Sequence, residues 1–117
     1  MAKNVIYDKS YSFALRVVKL SNYLKNEHKE FVLSRQILRS GTAIGALIRE
    51  AQFAQSKADF IHKLQVALKE ANETDYWINI LYDSSYLNKK MYDSLAIDIK
   101  EIISLLVSII KSSKNNF

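Results

Sequence analysis

Cysteine and proline do not occur in this chain of 117 residues, and glycine occurs only twice, as Gly41 and Gly45. Without cysteine there is no disulfide framework and no thiolate to serve as nucleophile or metal ligand. The lack of thiols fits a reducing compartment, so a cytoplasmic location is expected. So few turn-forming residues argue against a β-rich domain, whose hairpins draw on glycine and proline. No uninterrupted apolar run approaches the ~18 residues that cross a bilayer. The densest, at 102–110, is broken by Ser104 and Ser108 and flanked by Lys100, Glu101 and Lys111. Residues 1–9 lack the apolar core of a secretory signal. A membrane is therefore not an expected partner.

What is present favours helices: Leu, Ala, Lys, Glu, Arg and Ile dominate. A chain of this size forms one domain and buries roughly two-thirds of its unfolded surface, enough for a core without metal or disulfides. The spacing of apolar residues predicts a single domain of four helices over about 8–26, 32–54, 57–83 and 88–112, with 113–117 as a frayed tail. In the first, Phe13, Val17, Leu20 and Leu24 follow one another at four, three and four. Ile37, Gly41, Ile44, Ile48 and Ala51 mark the second. Phe60, Leu64, Ala67, Ala71, Thr74, Ile78 and Leu81 mark the third, and Leu95, Ile99, Ile102, Leu106 and Ile109 the fourth. Ser56 with Asp59 reads as a capping box before the third helix, and Asn88 as an N-cap of the fourth. Short loops between amphipathic helices give an all-α, antiparallel up-down-up-down four-helix bundle.

The last helix is apolar around most of its circumference. One neighbouring layer needs only a stripe, so the surplus (Ile103, Leu105, Val107, Ile110) is expected to meet another copy. Gly41-Thr42-Ala43-Ile44-Gly45 is a GxxxG segment among small residues. Each glycine costs a soluble helix about 1 kcal/mol against alanine, and close approach of a second helix, within or between subunits, would offset that. Arg35, Arg39 and Arg49 fall on one side of the second helix, and the forked guanidinium suits phosphate. Arg16 and Lys19 could extend that surface. The plain alternative is a solvated face with ion pairs to Glu50, Glu70 or Glu73. The net charge of +5, from 17 basic and 12 acidic residues, favours anionic partners modestly.

No catalytic constellation is visible. His28 falls in an expected loop and His62 on a polar flank, and neither belongs to the Glu-x-x-His pairs of a di-metal bundle. Nucleophile-elbow, zinc-protease and phosphate-loop motifs are absent. The expectation is no enzymatic activity, no cofactor and no metal. Asp75 falls near the apolar stripe, where a carboxylate needs a donor or cation. Tyr76, Trp77, Tyr82, Tyr86 and Tyr92 are expected at a core edge or a subunit interface rather than stacked on bases.

The segments 39–51 and 56–77, which carry the GxxxG run and Ser56 through Tyr76-Trp77, resemble the small bacterial four helix bundle protein family. That family is also called the 23S rRNA intervening sequence protein family. The likeness extends from about Tyr7 to Ser112. It implies an antiparallel four-helix bundle that assembles as a ring-like homopentamer. A relative, the accessory variability determinant of diversity-generating retroelements, is a basic pentameric barrel that binds nucleic acid and a reverse transcriptase. A reverse transcriptase is thereby an expected partner if the gene lies in such an element. Many relatives carry proline where this chain reads Gly41-Thr42-Ala43. The expected function is a non-catalytic homopentameric scaffold that binds RNA or DNA through basic surface. The alternative is a protein-interaction oligomer whose charge serves solubility.

Overall fold

The computed structural model describes residues 2–115 in backbone and the side chains of residues 5–115. Among these residues the chain forms four α-helices: α1 (Ala2–His28), α2 (Leu33–Gln52), α3 (Lys57–Asp83) and α4 (Lys89–Asn115). Each helix packs on its chain neighbours and α4 closes back on α1, while the backbones of the diagonal pairs stay apart. Cross-helix contacts run antiparallel. Ser10 meets Gly45 while Val17 meets Gly41, and Lys63 reaches Glu50 while Thr74 reaches Ser40. The expected up-down-up-down bundle is the observed one, 49 Å long and about 20 Å across (22 × 19 Å).

The predicted stripes are the core, except that Phe60 and Ile109 are half-buried and their neighbours Ile61 and Ile110 are enclosed instead. Phe13, Val17, Leu24, Ile37, Ile44, Ile78, Leu81, Ile99, Ile102 and Leu106 are fully enclosed. Two buried hydroxyl contacts sit among them. The Thr74 hydroxyl lies 2.9 Å from the Ser40 hydroxyl between α2 and α3, and Ser21 Oγ donates to the Ser34 carbonyl between α1 and α2. Buried hydroxyls need such partners, and these fix the register of α2 against both neighbours.

Two helices run longer than their apolar patterns predict. The α1 stripe continues backward through Ser10 to Ile6, both buried, so α1 starts at Ala2 rather than near residue 8. His28 belongs to its last turn, not to a loop. Helix α4 runs to Asn115, three residues past the expected end, and the rest of the expected tail (116–117) lies outside the described residues. The caps are as read. Ser56 Oγ accepts the Asp59 amide at 3.0 Å while Asp59 Oδ2 accepts the Gln55 amide, and Asn88 Oδ1 accepts the Met91 amide. Glu30 caps α2 unexpectedly, its carboxylate taking the Ser34 amide at 2.9 Å.

The bundle is not evenly tight. α1 and α4 share the most sparsely packed of the four seams. Open clefts of about 290 and 370 Å³ lie along it. The polar contacts across it are exposed ion pairs: Lys9 with Glu101 at 2.7 Å, and Arg16 with Asp98 at 2.5 Å, backed by the Ser94 hydroxyl.

Candidate functional site

Of the residues expected to bind nucleic acid, Arg39 and Arg16 are drawn into ion pairs, while Arg35, Arg49 and Lys19 are not. Arg39 is held by two carboxylates of α3: Glu73 Oε2 at 2.5 Å and Glu70 Oε1 at 3.8 Å. Glu73 also accepts the Trp77 indole N–H at 3.1 Å, so this corner is a closed network between α2 and α3. Arg16 is turned to Asp98 across the α1–α4 seam. Arg49 lies over the Tyr7 ring of α1, 5.2 Å from its centroid, a cation–π contact that leaves its fork open. Arg35 and Lys19 are exposed and without a partner among the described residues. Helical spacing places Arg35 and Arg39 one turn apart, but Arg49 stands about 21 Å from Arg35 along the axis.

Pairing nonetheless leaves positive charge in excess. Lys9, Arg16, Arg39, Lys63 and Lys89 are matched to Glu101, Asp98, Glu70, Glu73, Glu50, Asp59 and Asp93. Most carboxylates are consumed and many cations are not. Hydrogen bonding to Glu101 raises the Lys9 ammonium above its ordinary value, with the Glu101 charge adding to it, and Asp93 does the same for Lys89.

The residues expected at an oligomer contact divide in two. Both glycines are used inside the subunit: Gly41 is buried against Val17 of α1, and Gly45 faces the Ser10 carbonyl. Ile110 is enclosed in the core, so it offers nothing to a second copy, and Ile103 and Leu105 are half-buried. Val107, 46% exposed, is the member of the set that faces outward; Ile97, also exposed, lies about 15 Å away along α4. The core and its neighbours thus cover most of the apolar surface of α4.

The aromatic residues of the second half also act within the subunit. Tyr82 stacks on Tyr92, whose hydroxyl donates to Asn79 Oδ1 at 2.7 Å. His28 sits edge-on between Tyr23 and Tyr86, tying the end of α1 to the α3–α4 connection. Tyr76 remains exposed. Asp75 is half-buried. Among the described residues no group of three or more His, Asp or Glu side chains could hold a metal ion. Among the described residues no helix is long and apolar enough to cross a membrane.

One surface was not anticipated. α1 carries a second apolar stripe, opposite its core face: Tyr11, Leu15 and Val18 are 56%, 51% and 41% exposed. Their spacing of four and three is visible in the sequence. It is masked there because the stronger stripe through Phe13 and Val17 shares the same residues' neighbours. Beside it, between α1 and α2, a cleft of about 300 Å³ is floored by Ala14, Gly45 and Ala46 and closed at one end by Tyr7 and Arg49.

The sequence pattern of the family described as 23S rRNA-intervening sequence protein matches residues 2–108. Among solved structures, the chain is similar to a protein of unknown function from the S23 ribosomal protein family of Bacteroides thetaiotaomicron. The two are 58% identical, superpose with a TM-score of 0.94, and share 95% of this chain and 99% of that one. No curated protein matches the chain.

Proposed function

The chain belongs to the 23S rRNA-intervening sequence protein family, and from that premise we propose a non-catalytic, homopentameric scaffold that binds RNA or DNA through surface cations. The observation that carries this reading is the imbalance left by the fold. Internal ion pairs consume most carboxylates, while Arg35, Lys19 and the open fork of Arg49 stay available to phosphate. Arg16 and Arg39 contribute less, because a phosphate must first displace Asp98 or Glu73. With one chain at +5, a ring of five carries five times that, +25. Many weak phosphate contacts then act together, with low sequence preference and steep salt dependence. Ring assembly would use the outer side of α4, where Val107 and Ile97 are exposed.

Mobility shift of a structured RNA across a salt series tests this reading. Binding should weaken by orders of magnitude between about 50 and 200 mM salt if six or more phosphates are contacted. Arg35→Ala with Arg49→Ala should weaken it further without unfolding the bundle. Absence of a shift at low salt removes the nucleic-acid role.

A second reading, a protein-interaction oligomer with no nucleic-acid role, is favoured by the ion pairs that hold Arg16 and Arg39 and by the unexpected stripe on α1. A single protein partner recovered after nuclease treatment would support it.

A further inference from the structure

We infer that the outer α1–α2 face docks an acidic, amphipathic helix of a partner protein; this rests on the protein-interaction reading above. Tyr11, Leu15 and Val18 stand in line on one face of α1 and are about half exposed. Their spacing is that of an i, i+4, i+7 row of anchors, the spacing by which helices lie along one another. The adjoining cleft is floored by small residues, Ala14, Gly45 and Ala46, so a second backbone can come close without meeting long side chains. Its volume of about 300 Å³ suits a few aliphatic side chains rather than a folded surface.

The charges around this face fix the chemistry of the occupant. Lys19 follows Leu15 by one turn on one flank. On the other, Lys25 follows Ser21 by one turn, Arg35 adjoins Ser34 where α2 meets Ser21, and Arg49 closes the lower end of the cleft. Two carboxylates stand near the face: Asp8, a turn before Tyr11, and Glu30, which is engaged by the Ser34 amide. An apolar strip framed by four cations and two acids is complementary to a helix with leucines on one side and glutamates on the other. Nucleic acid fits this face less well, since Leu15 and Val18 offer phosphate nothing and do not stack on bases, which leaves Tyr11 as the stacking ring of the stripe. A second copy presenting this same face would set Arg49 against the partner's Arg35 or Lys25, which repel; a copy presenting a different face, as a ring requires, would show in the sedimentation of Leu15→Asp.

Fluorescence anisotropy with a labelled designed helix of about 18 residues, leucine on one face and glutamate on the other, tests the docking. The probe should bind wild-type protein with micromolar affinity. A version with lysine in place of glutamate should bind at least about tenfold more weakly. Leu15→Asp lies on the surface and should keep the circular dichroism of the wild type while losing about tenfold or more in affinity for the glutamate helix. Arg35→Glu with Arg49→Glu should do the same and reduce the salt dependence.

Equal binding of the two helices, or unchanged binding to Leu15→Asp, would overturn the proposal. So would a change in sedimentation of Leu15→Asp alone, since the face would then be covered by another copy. Competition of the bound helix by single-stranded RNA, with RNA affinity also lost in Leu15→Asp, would assign the face to nucleic acid instead. If the designed helix fails while a nuclease-treated pull-down still recovers one partner, the face is wrong and the interaction reading stands.

Discussion

Gly41 of α2 lies against Val17 of α1 so closely that a Cβ on Gly41 would come within 2.8 Å of Val17 Cγ2 and 2.9 Å of its Cγ1. Val17 is itself fully buried and β-branched, so it has little room to turn away. Gly45, one turn on, differs: its added Cβ would stand 3.4 Å from the Ser10 carbonyl oxygen, ordinary contact. Alanine gains about 1 kcal/mol of helix propensity at either site. At Gly41 overpacking of about 1–3 kcal/mol exceeds that gain. Gly41→Ala is therefore expected to lower the thermal midpoint and Gly45→Ala to leave it unchanged or raise it by a few degrees. Calorimetry of the two variants checks this, and equal effects would mean that Val17 does not set the approach of α1 to α2.

The chain uses its two glycines inside a helix and none at its turns. Lys29 and Ser85, just past α1 and α3, are consequently the residues with positive φ, 53° and 69°. The amide that follows each closes the helix end, Glu30 to the Leu24 carbonyl six residues back and Tyr86 to the Leu81 carbonyl five residues back. This is the helix stop that glycine usually provides, and a side chain there costs about 1 kcal/mol or more. Ser85→Gly should therefore stabilise the fold by about 1 kcal/mol, roughly 4 °C for a domain of this size. Lys29→Gly should gain less, because it loses the Lys29 Nζ bond to the Asn26 carbonyl. Chemical denaturation that shows Ser85→Gly to be destabilising would contradict the assigned left-handed turn.

This pattern also explains what could be read from the sequence and what could not. Periodicity located all four helices and nearly every enclosed side chain, because a buried stripe must recur every three or four residues. The expected loop at His28 was misplaced because Lys29, not a glycine, ends α1. The arginine face dissolved because helical phase says which way a side chain leaves its own helix, not which carboxylate waits on the next. Arg39 meets Glu73 and Arg16 meets Asp98 only through tertiary packing. The surplus on α4 was overstated because two neighbours, α3 and α1, share its cover.

The α1–α4 seam should respond to alkali. Glu101 raises the Lys9 ammonium above 10.5 in the folded chain. A group whose folded value is raised contributes stability that is complete below its unfolded value and disappears as pH rises through the folded one. The Lys9–Glu101 contribution is thus intact at neutral pH and lost above about 10.5. Both side chains are over 40% exposed, so the effect is small and is also reduced by salt. Thermal midpoints of wild type and Glu101→Gln should differ slightly at pH 8 and converge as pH rises past that value. A constant difference across the range would show that the pair does not hold the seam.

Assembly through α4 can be separated from folding by two substitutions three residues apart. Ile110 is only 7% exposed, so Ile110→Asp places a carboxylate inside the core and should unfold the subunit, at a cost of several kcal/mol. Val107 is 46% exposed within one subunit, where Val107→Asp costs little, about 0.5 kcal/mol or less. If a neighbouring copy covers Val107, that same carboxylate is buried at the contact and the ring should come apart. The expected outcome is a helical, cooperatively melting Val107→Asp protein that sediments as a smaller species than wild type. An unchanged sedimentation coefficient with an intact fold would exclude the outer side of α4 as the contact.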